Sequence, residues 1–247
     1  MSNYFRFKQF IICHDKCAMK VGTDAVLLGA WANPDNCKTI LDIGTGTGVI
    51  AIMLAQKSNL SEKQTRQSDA VIDAIEMDEN AFLQAKENVN ACKWSSRISV
   101  HHLSLQLFHR QKKEKYDLIV SNPPFFAGSM KAAEQSRHLA RHTDLLSFED
   151  LLQGVLSLLS PTGKFCVILP SKEGDHFRSL AEKNKLYLSK LTRVRTKENK
   201  SEEKRLLMQF EFDRKTFYEN LLVIEKDEPH SYTDEYKELT KDYYLGF

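Results

Sequence analysis

Three stretches of this 247-residue chain hold residue types that could do chemistry. The first is IVSNPPFFAGS, residues 119–129. An apolar run stops at Ser121, and Asn122, Pro123, Pro124, Phe125 and Phe126 follow. Asn122 offers one acceptor oxygen and two donors, and an amide is no base near neutral pH. Pro123 lacks an N–H but its carbonyl accepts, and Pro124 fixes the next φ, so the turn is stiff. This predicts two acceptors, the Asn122 side-chain oxygen and the Pro123 carbonyl, aimed at one exocyclic amine. Such an amine is a weak nucleophile because its lone pair is shared with the ring. Hydrogen bonds to its protons hold it and favour a pyramidal nitrogen. They strengthen as positive charge develops, to about 1.5–3 kcal/mol each for charged partners, and in-line positioning adds to this. The chemistry that fits is attack on a sulfonium methyl, without a metal or a strong base. Phe125 or Phe126 would stack on the heterocycle. A plain strand-ending turn with core aromatics would use the same residues, so the motif depends on its neighbours for meaning.

The second stretch is LDIGTGTG, residues 41–48. Gly44, Gly46 and Gly48, with Thr45 between the first two, let the backbone approach a ligand, and the N–H groups of the next helix favour an anionic end. A dinucleotide fingerprint wants G-x-G-x-x-G, and its last place falls here on Val49. The third is Glu76, closing the next apolar run, where a carboxylate can accept both hydroxyls of a ribose. A helix-entry acid would read the same way, since Asp78 and Glu79 follow. Asp42, just before the glycines, either holds a ligand ammonium through a water or braces the turn.

The elements that must position these residues alternate. A helix within 19–32 is capped by Thr23 or Asp24 and stopped by Asn33-Pro34. Strands are predicted at 39–43, 70–75, within RISVHHL, at 116–121 and within KFCVILP after a Pro161/Gly163 turn. Helices follow at 49–56, after Asp78, after a Ser147–Asp150 capping box, and in EGDHFRSLAEKN. Residues 58–69 read as a polar loop, and 186–194 with 206–212 as an antiparallel hairpin. The sum is an α/β doubly wound, mainly parallel, seven-stranded Rossmann-like sheet with an antiparallel C-terminal hairpin. Ligands of such sheets sit at the carboxyl ends of the strands, at the switch point. The fourth strand should lie beside the first, bringing Asn122 next to the glycine turn.

Bulk properties exclude little. Net charge is +2, and five scattered cysteines form no C-x-x-C pair, which predicts free thiols in a reducing compartment, the cytoplasm, and no metal. No apolar run reaches membrane-spanning length. Charge is unevenly spread: Lys183 to Arg205 holds nine Lys/Arg against three Glu, and Glu225 to Phe247 seven acids against three Lys. That pattern is either a polyanion-binding face or a solvated hairpin with an acidic end.

LDIGTGTG, EMD and NPPF in this order resemble the amino-methyltransferases that use S-adenosylmethionine. With HDKCAMKVGTDAVLLGAWA, SNPPFFAGS, ARHTDLLSFEDLL and YTDEYKELTKDYYLGF, nearly the whole chain resembles bacterial methyltransferases of adenine N6 in valine tRNA. The resemblance implies methylation of the adenine next to the anticodon, with S-adenosylmethionine as cofactor. It implies that residues 1–34, through Lys20, Thr23 and Asp24, close one side of the cofactor pocket of a catalytic domain at 35–247. Asn122 to Phe125 would be the catalytic turn, and Met77 and Leu105 would join the cofactor residues. Many relatives carry an acid after the third strand to read the cofactor adenine; this chain has Ser104 there. The implied partner is the anticodon arm of a valine tRNA, bound by a monomer. Its phosphates would meet Lys131, Arg137 and Arg141; Arg137 and Arg141 share a helix face, as do His138 and His142. The 193–205 hairpin is a second candidate surface. The motif also serves guanine N2 in ribosomal RNA and a glutamine amide in a release factor, and a non-catalytic RNA-binding protein of this fold is a third reading.

Overall fold

The computed structural model describes residues 3–59, 70–124, 146–228 and 231–247. The core is one eight-stranded sheet in the order β10-β8-β9-β7-β6-β3-β4-β5. Its strands are β3 (Thr39–Ile43), β4 (Val71–Glu76), β5 (Ile98–His102), β6 (Tyr116–Ser121), β7 (Leu159–Pro170), β8 (Tyr187–Lys197), β9 (Glu203–Glu211) and β10 (Tyr218–Glu225). β9 pairs antiparallel with β7 and β8, and all other pairs are parallel. A separate antiparallel pair, β1 (Tyr4–Arg6) and β2 (Ile11–Cys13), lies outside it.

The doubly wound, mainly parallel sheet is as the alternation predicts, with one correction: there are eight strands rather than seven. β10 escapes a period-two reading because its first four residues are exposed and only Leu222 is buried. The predicted hairpin is β8–β9, built into the sheet as expected; β9 alone runs antiparallel, and β8 returns to the common parallel direction.

Alternation along the strands feeds two cores. Ile40, Ile72, Leu118, Val120, Cys166 and Ile168 face α1 (Thr23–Trp31) and α2 (Val49–Asn59). Leu41, Ile43, Ile75, Ile119, Phe165 and Val167 face α4 (Leu105–Gln111), α5 (Phe148–Leu158) and α6 (Ser171–Lys183). Both faces of the central strands are covered, which is why their sequences are near-continuous apolar runs. α3 (Glu79–Ala91) follows β4, and α7 (Asp234–Thr240) follows β10.

Two predicted caps are present: Asp78 Oδ1 accepts from Ala81 N at 2.8 Å, and Ser147 Oγ from Asp150 N at 3.0 Å. The cap predicted for α1 differs. Its N-cap is Gly22 without a side-chain bond, and Asp24 instead accepts from Arg205 Nε at 2.7 Å. The Pro161/Gly163 turn is a bulge within β7, between the pairings Tyr116–Leu159 and Leu118–Lys164. α4 has no counterpart in the sequence reading; Leu105 and Phe108 are its buried residues, too few to mark a period.

Candidate active site

The site is assembled by register. Ile43 pairs with Ser121 of β6 on one side and with Ile75 of β4 on the other. The next residues, Asn122, Gly44 and Glu76, therefore leave three adjacent strands at one carboxyl edge. Glu76 pairs in turn with His102, two residues before Ser104. The order of the strands reverses between β3 and β6, so this edge is the topological switch point. Ser121 fastens the first two ends together: its Oγ donates to Ile43 O at 2.9 Å.

The glycine turn needs its glycines. Gly44, Gly46 and Gly48 have φ of 69°, 56° and 81°, a region that costs side-chain-bearing residues about 1–3 kcal/mol. A Cβ at Gly44 or Gly46 would meet nothing within 4 Å, so the backbone there borders open space. At Gly48 it would touch Ala85 of α3 at 3.5 Å. Gly44 N and Thr45 N both donate to Ile75 O at 3.0 Å, which ties the turn to β4.

Glu76 sits at the centre of this edge. Its Oε2 accepts from Gly46 N at 2.9 Å, and its Oε1 from Met77 N at 2.9 Å and Asp78 N at 3.0 Å. Three backbone N–H groups hold one carboxylate in place. Met77 is exposed beside it, with its carbonyl 3.0 Å from His102 Nε2.

Asp42 is fully buried. Thr45 Oγ1 donates to its Oδ2 at 2.5 Å, while Oδ1 has no hydrogen-bond partner among the described residues. Burial pushes its carboxyl up to about 7, and the Thr45 hydroxyl and the Ala51 backbone N–H oppose that rise. A buried carboxylate with one oxygen unanswered is costly unless something cationic or a donor comes to it.

The segment before α1 is strapped across α3. Cys13 N donates to Asn88 Oδ1 at 2.9 Å, and Asn88 Nδ2 donates to Cys13 O at 2.8 Å and to Thr47 O at 2.9 Å. Lys16 N donates to Gln84 Oε1 at 3.1 Å, and Lys16 pairs with Glu87. Burial raises the Cys17 thiol to about 11, with the Glu76 and Asp78 carboxylates adding to the rise. One buried amide thus joins the strap to the glycine turn. Sequence reading missed Asn88. The signal was available: Gln84 and Asn88 lie four apart among Ala81, Ala85 and Val89, amides on a buried stripe.

The remaining predicted residues divide. Asn122 is half-buried, Pro123 buried and Pro124 exposed. Ser104 caps α4, its Oγ accepting from Leu107 N at 3.3 Å. The Leu105 side chain is buried against Gly154 of α5, so its backbone is what the edge receives. Lys20 and Thr23 are exposed, and Thr23 lines a second cavity described below. Phe125, Phe126, Lys131, Arg137 and Arg141, with His138 and His142, lie outside the described residues.

The basic hairpin is largely matched by acids. Arg193 pairs with Glu203 at 2.9 Å and Glu219 at 2.5 Å, Arg195 with Glu203 at 3.8 Å, and Lys197 with Glu225 at 3.6 Å. Lys204 pairs with Glu202 at 2.5 Å and Arg205 with Asp24 at 2.7 Å. Among the described residues no group of three His, Cys, Asp or Glu is arranged to hold a metal, and no helix is long and apolar enough to cross a membrane.

Comparison with known proteins bears on the fold and the family. The profile of the Methyltransferase small domain family matches residues 16–180. A protein of Agrobacterium tumefaciens, named as a predicted O-methyltransferase, superposes with a TM-score of 0.66 over 89% of this chain and 96% of its own, at 16% identity, a likeness of fold alone. Fold and family match together define a Rossmann-like methyltransferase. A Trichodesmium erythraeum protein named tRNA1(Val) (adenine(37)-N6)-methyltransferase is 45% identical over 99% of both chains. One of that name from Flavobacterium psychrophilum is 46% identical over 98% of this chain and 99% of its own. The chain belongs to the tRNA1(Val) (adenine(37)-N6)-methyltransferase family.

Proposed function

We propose that this protein transfers a methyl group from S-adenosylmethionine to N6 of adenine 37, next to the anticodon, in a valine tRNA. The observation that carries the reading is the adjacency of Asn122, Gly44 and Glu76 on three neighbouring strand ends. Relatives so named over nearly the whole chain supply the substrate.

The residues present fit the cofactor. Open space borders Gly44 and Gly46, a fixed carboxylate at Glu76 suits a ribose, and the unanswered Oδ1 of Asp42 suits an ammonium or its water. Thr45, Gly48, Met77, Ser104 and the Leu105 backbone complete the wall, and residues 1–34, through Lys20 and Thr23, close it. When bound, S-adenosylmethionine supplies an electrophilic methyl on a sulfonium.

The chain's own part is positional. The Asn122 side-chain oxygen and the Pro123 carbonyl accept the two protons of the adenine amine and turn its lone pair toward the methyl. Both bonds strengthen as the nitrogen becomes positive, so they favour the transition state over the ground state. The methylated nitrogen is acidic and releases its proton to solvent, which relieves the chain of supplying a strong base. Pro124 stiffens the turn, and Phe125 or Phe126 stacks on the ring. Lys131, Arg137 and Arg141 meet phosphates. The strapped segment at 13–17 limits water at the cofactor end of the cleft. The hairpin cations are engaged by acids, which weakens the hairpin as a phosphate surface.

The test offers labelled S-adenosylmethionine with separate pools of tRNA, ribosomal RNA and release factor. Label in valine tRNA, recovered as N6-methyladenine, is the expected result. Label confined to ribosomal RNA or protein overturns the substrate.

A further inference from the structure

A second cavity of about 570 Å³ lies near residues 196 and 225, close to the carboxyl ends of β8 and β10. Its walls are aromatic: Phe5, Tyr232, Tyr244 and Phe247 line it around the buried Tyr236. The rings brace one another, with Tyr232 and Tyr236 stacked at 5.4 Å and Phe247 edge-on to Tyr232 at 5.0 Å and to Tyr244 at 5.5 Å. Lys8 Nζ fixes the far side, donating to Lys241 O at 2.5 Å and Phe247 O at 2.6 Å. Arg6 stands exposed on the rim, and Thr196 and Glu225 add polar edges. The volume falls within the usual range for a small-ligand pocket.

We propose that this cavity takes a second unstacked base of the RNA substrate. The inference rests on the tRNA reading above. Four features of the cavity carry it. Flat rings beside a guanidinium are what a nucleobase and its phosphate require. β8 and β10 run parallel to β6, so the strand ends that line the cavity lie at the same edge of the sheet as Asn122. The strand ends at β8 and β10 lie three and four strands from β6, about 14–19 Å at ~4.8 Å per strand. A single strand covers that span in about four to six nucleotides at a stacked rise of ~3.4 Å, and in fewer when splayed. Thr23, at the start of α1, forms part of the wall, so the cavity adjoins the segment that flanks the cofactor site.

The experiment uses a valine tRNA transcript carrying 2-aminopurine at each unpaired anticodon-loop position in turn. Thr196→Trp fills the cavity from its polar edge, and Arg6→Glu changes only an exposed rim residue. In the native protein, one position other than the target adenine should change fluorescence on binding. Thr196→Trp should abolish that change and weaken tRNA binding about tenfold, the scale of one lost base stack. Arg6→Glu should weaken it severalfold and reduce the salt dependence of binding. The affinity for S-adenosylmethionine and the melting temperature should hold in both. If the native protein methylates the tRNA but both variants bind it normally, or no second position responds, the cavity is a packing seam and this inference alone fails. If the native protein neither binds nor methylates the tRNA, the functional reading and the inference fail together.

Discussion

Glu76→Gln separates the two jobs that the proposed site gives this carboxylate. The three N–H bonds from Gly46, Met77 and Asp78 are charge-assisted in the native protein. A glutamine can point its oxygen at Met77 and Asp78, but its NH2 then faces the Gly46 N–H, donor against donor. Two bonds fall from about 1.5–3 to about 0.5–1.5 kcal/mol each, and the third is lost. Glu76 is half-buried, so water recovers part of this, and the expected cost is about 2–3 kcal/mol, or ~5–10 °C in melting temperature for a chain of this size. In the proposed site the cofactor ribose also loses a two-oxygen anionic acceptor. One charged hydrogen bond lost weakens S-adenosylmethionine binding by about 10–100-fold. Calorimetric titration and thermal unfolding of the same preparation read the two effects apart. If stability drops while cofactor affinity stays within twofold, Glu76 is a brace for the glycine turn and the ribose assignment is wrong. If affinity drops with no loss of stability, the bond to Gly46 does not matter as its geometry implies.

Three other outcomes follow from the same geometry. Asn122→Ala removes one of the two acceptors proposed for the amine; turnover should fall about 10²-fold or more, as when one transition-state hydrogen bond is deleted, while cofactor affinity is retained, and near-native turnover would end the mechanism. Asn88→Leu removes the partner of the Cys13 N–H, Cys13 O and Thr47 O; exposed Cys13 turns to water, while buried Thr47 loses about 1–3 kcal/mol; hydrogen exchange at Cys13 should quicken, and unchanged protection there would show that the strap is held elsewhere. Asp42 sets a pH dependence. Burial raises its folded carboxyl to about 7, against about 3.9 unfolded, so between those values the folded state holds the extra proton. Unfolding free energy of the cofactor-free protein should therefore fall as pH rises from about 4 to 7, by up to a few kcal/mol. Urea titrations across that range should lose this slope in Asp42→Asn, and an equal slope in the variant would assign it to other groups.

Much of the scaffold was written locally. The ends of β3 and β6 fall where the apolar runs stop, because a strand buried on both faces has no other way to read. Asp78 and Ser147 cap helices because a short side chain three residues before an N–H reaches it whatever the fold. The glycines, Glu76 and the Asn-Pro-Pro turn were recognisable because each carries a backbone or hydrogen-bonding demand of its own. Other features depend on partners distant in sequence. β10 has one buried residue and exists because β8 offers it an edge. Asp24 gives up a cap for Arg205, 181 residues away. The hairpin cations read equally as a polyanion face or a solvated hairpin until the fold set Glu203, Glu219 and Glu225 against them. Asn88 joins Cys13 to Thr47 across 75 and 41 residues. Residue types and their local spacing thus determined which groups could do chemistry. Only strand register, a matter of long-range pairing and two-sided burial, decided that Asn122, Gly44 and Glu76 would stand side by side.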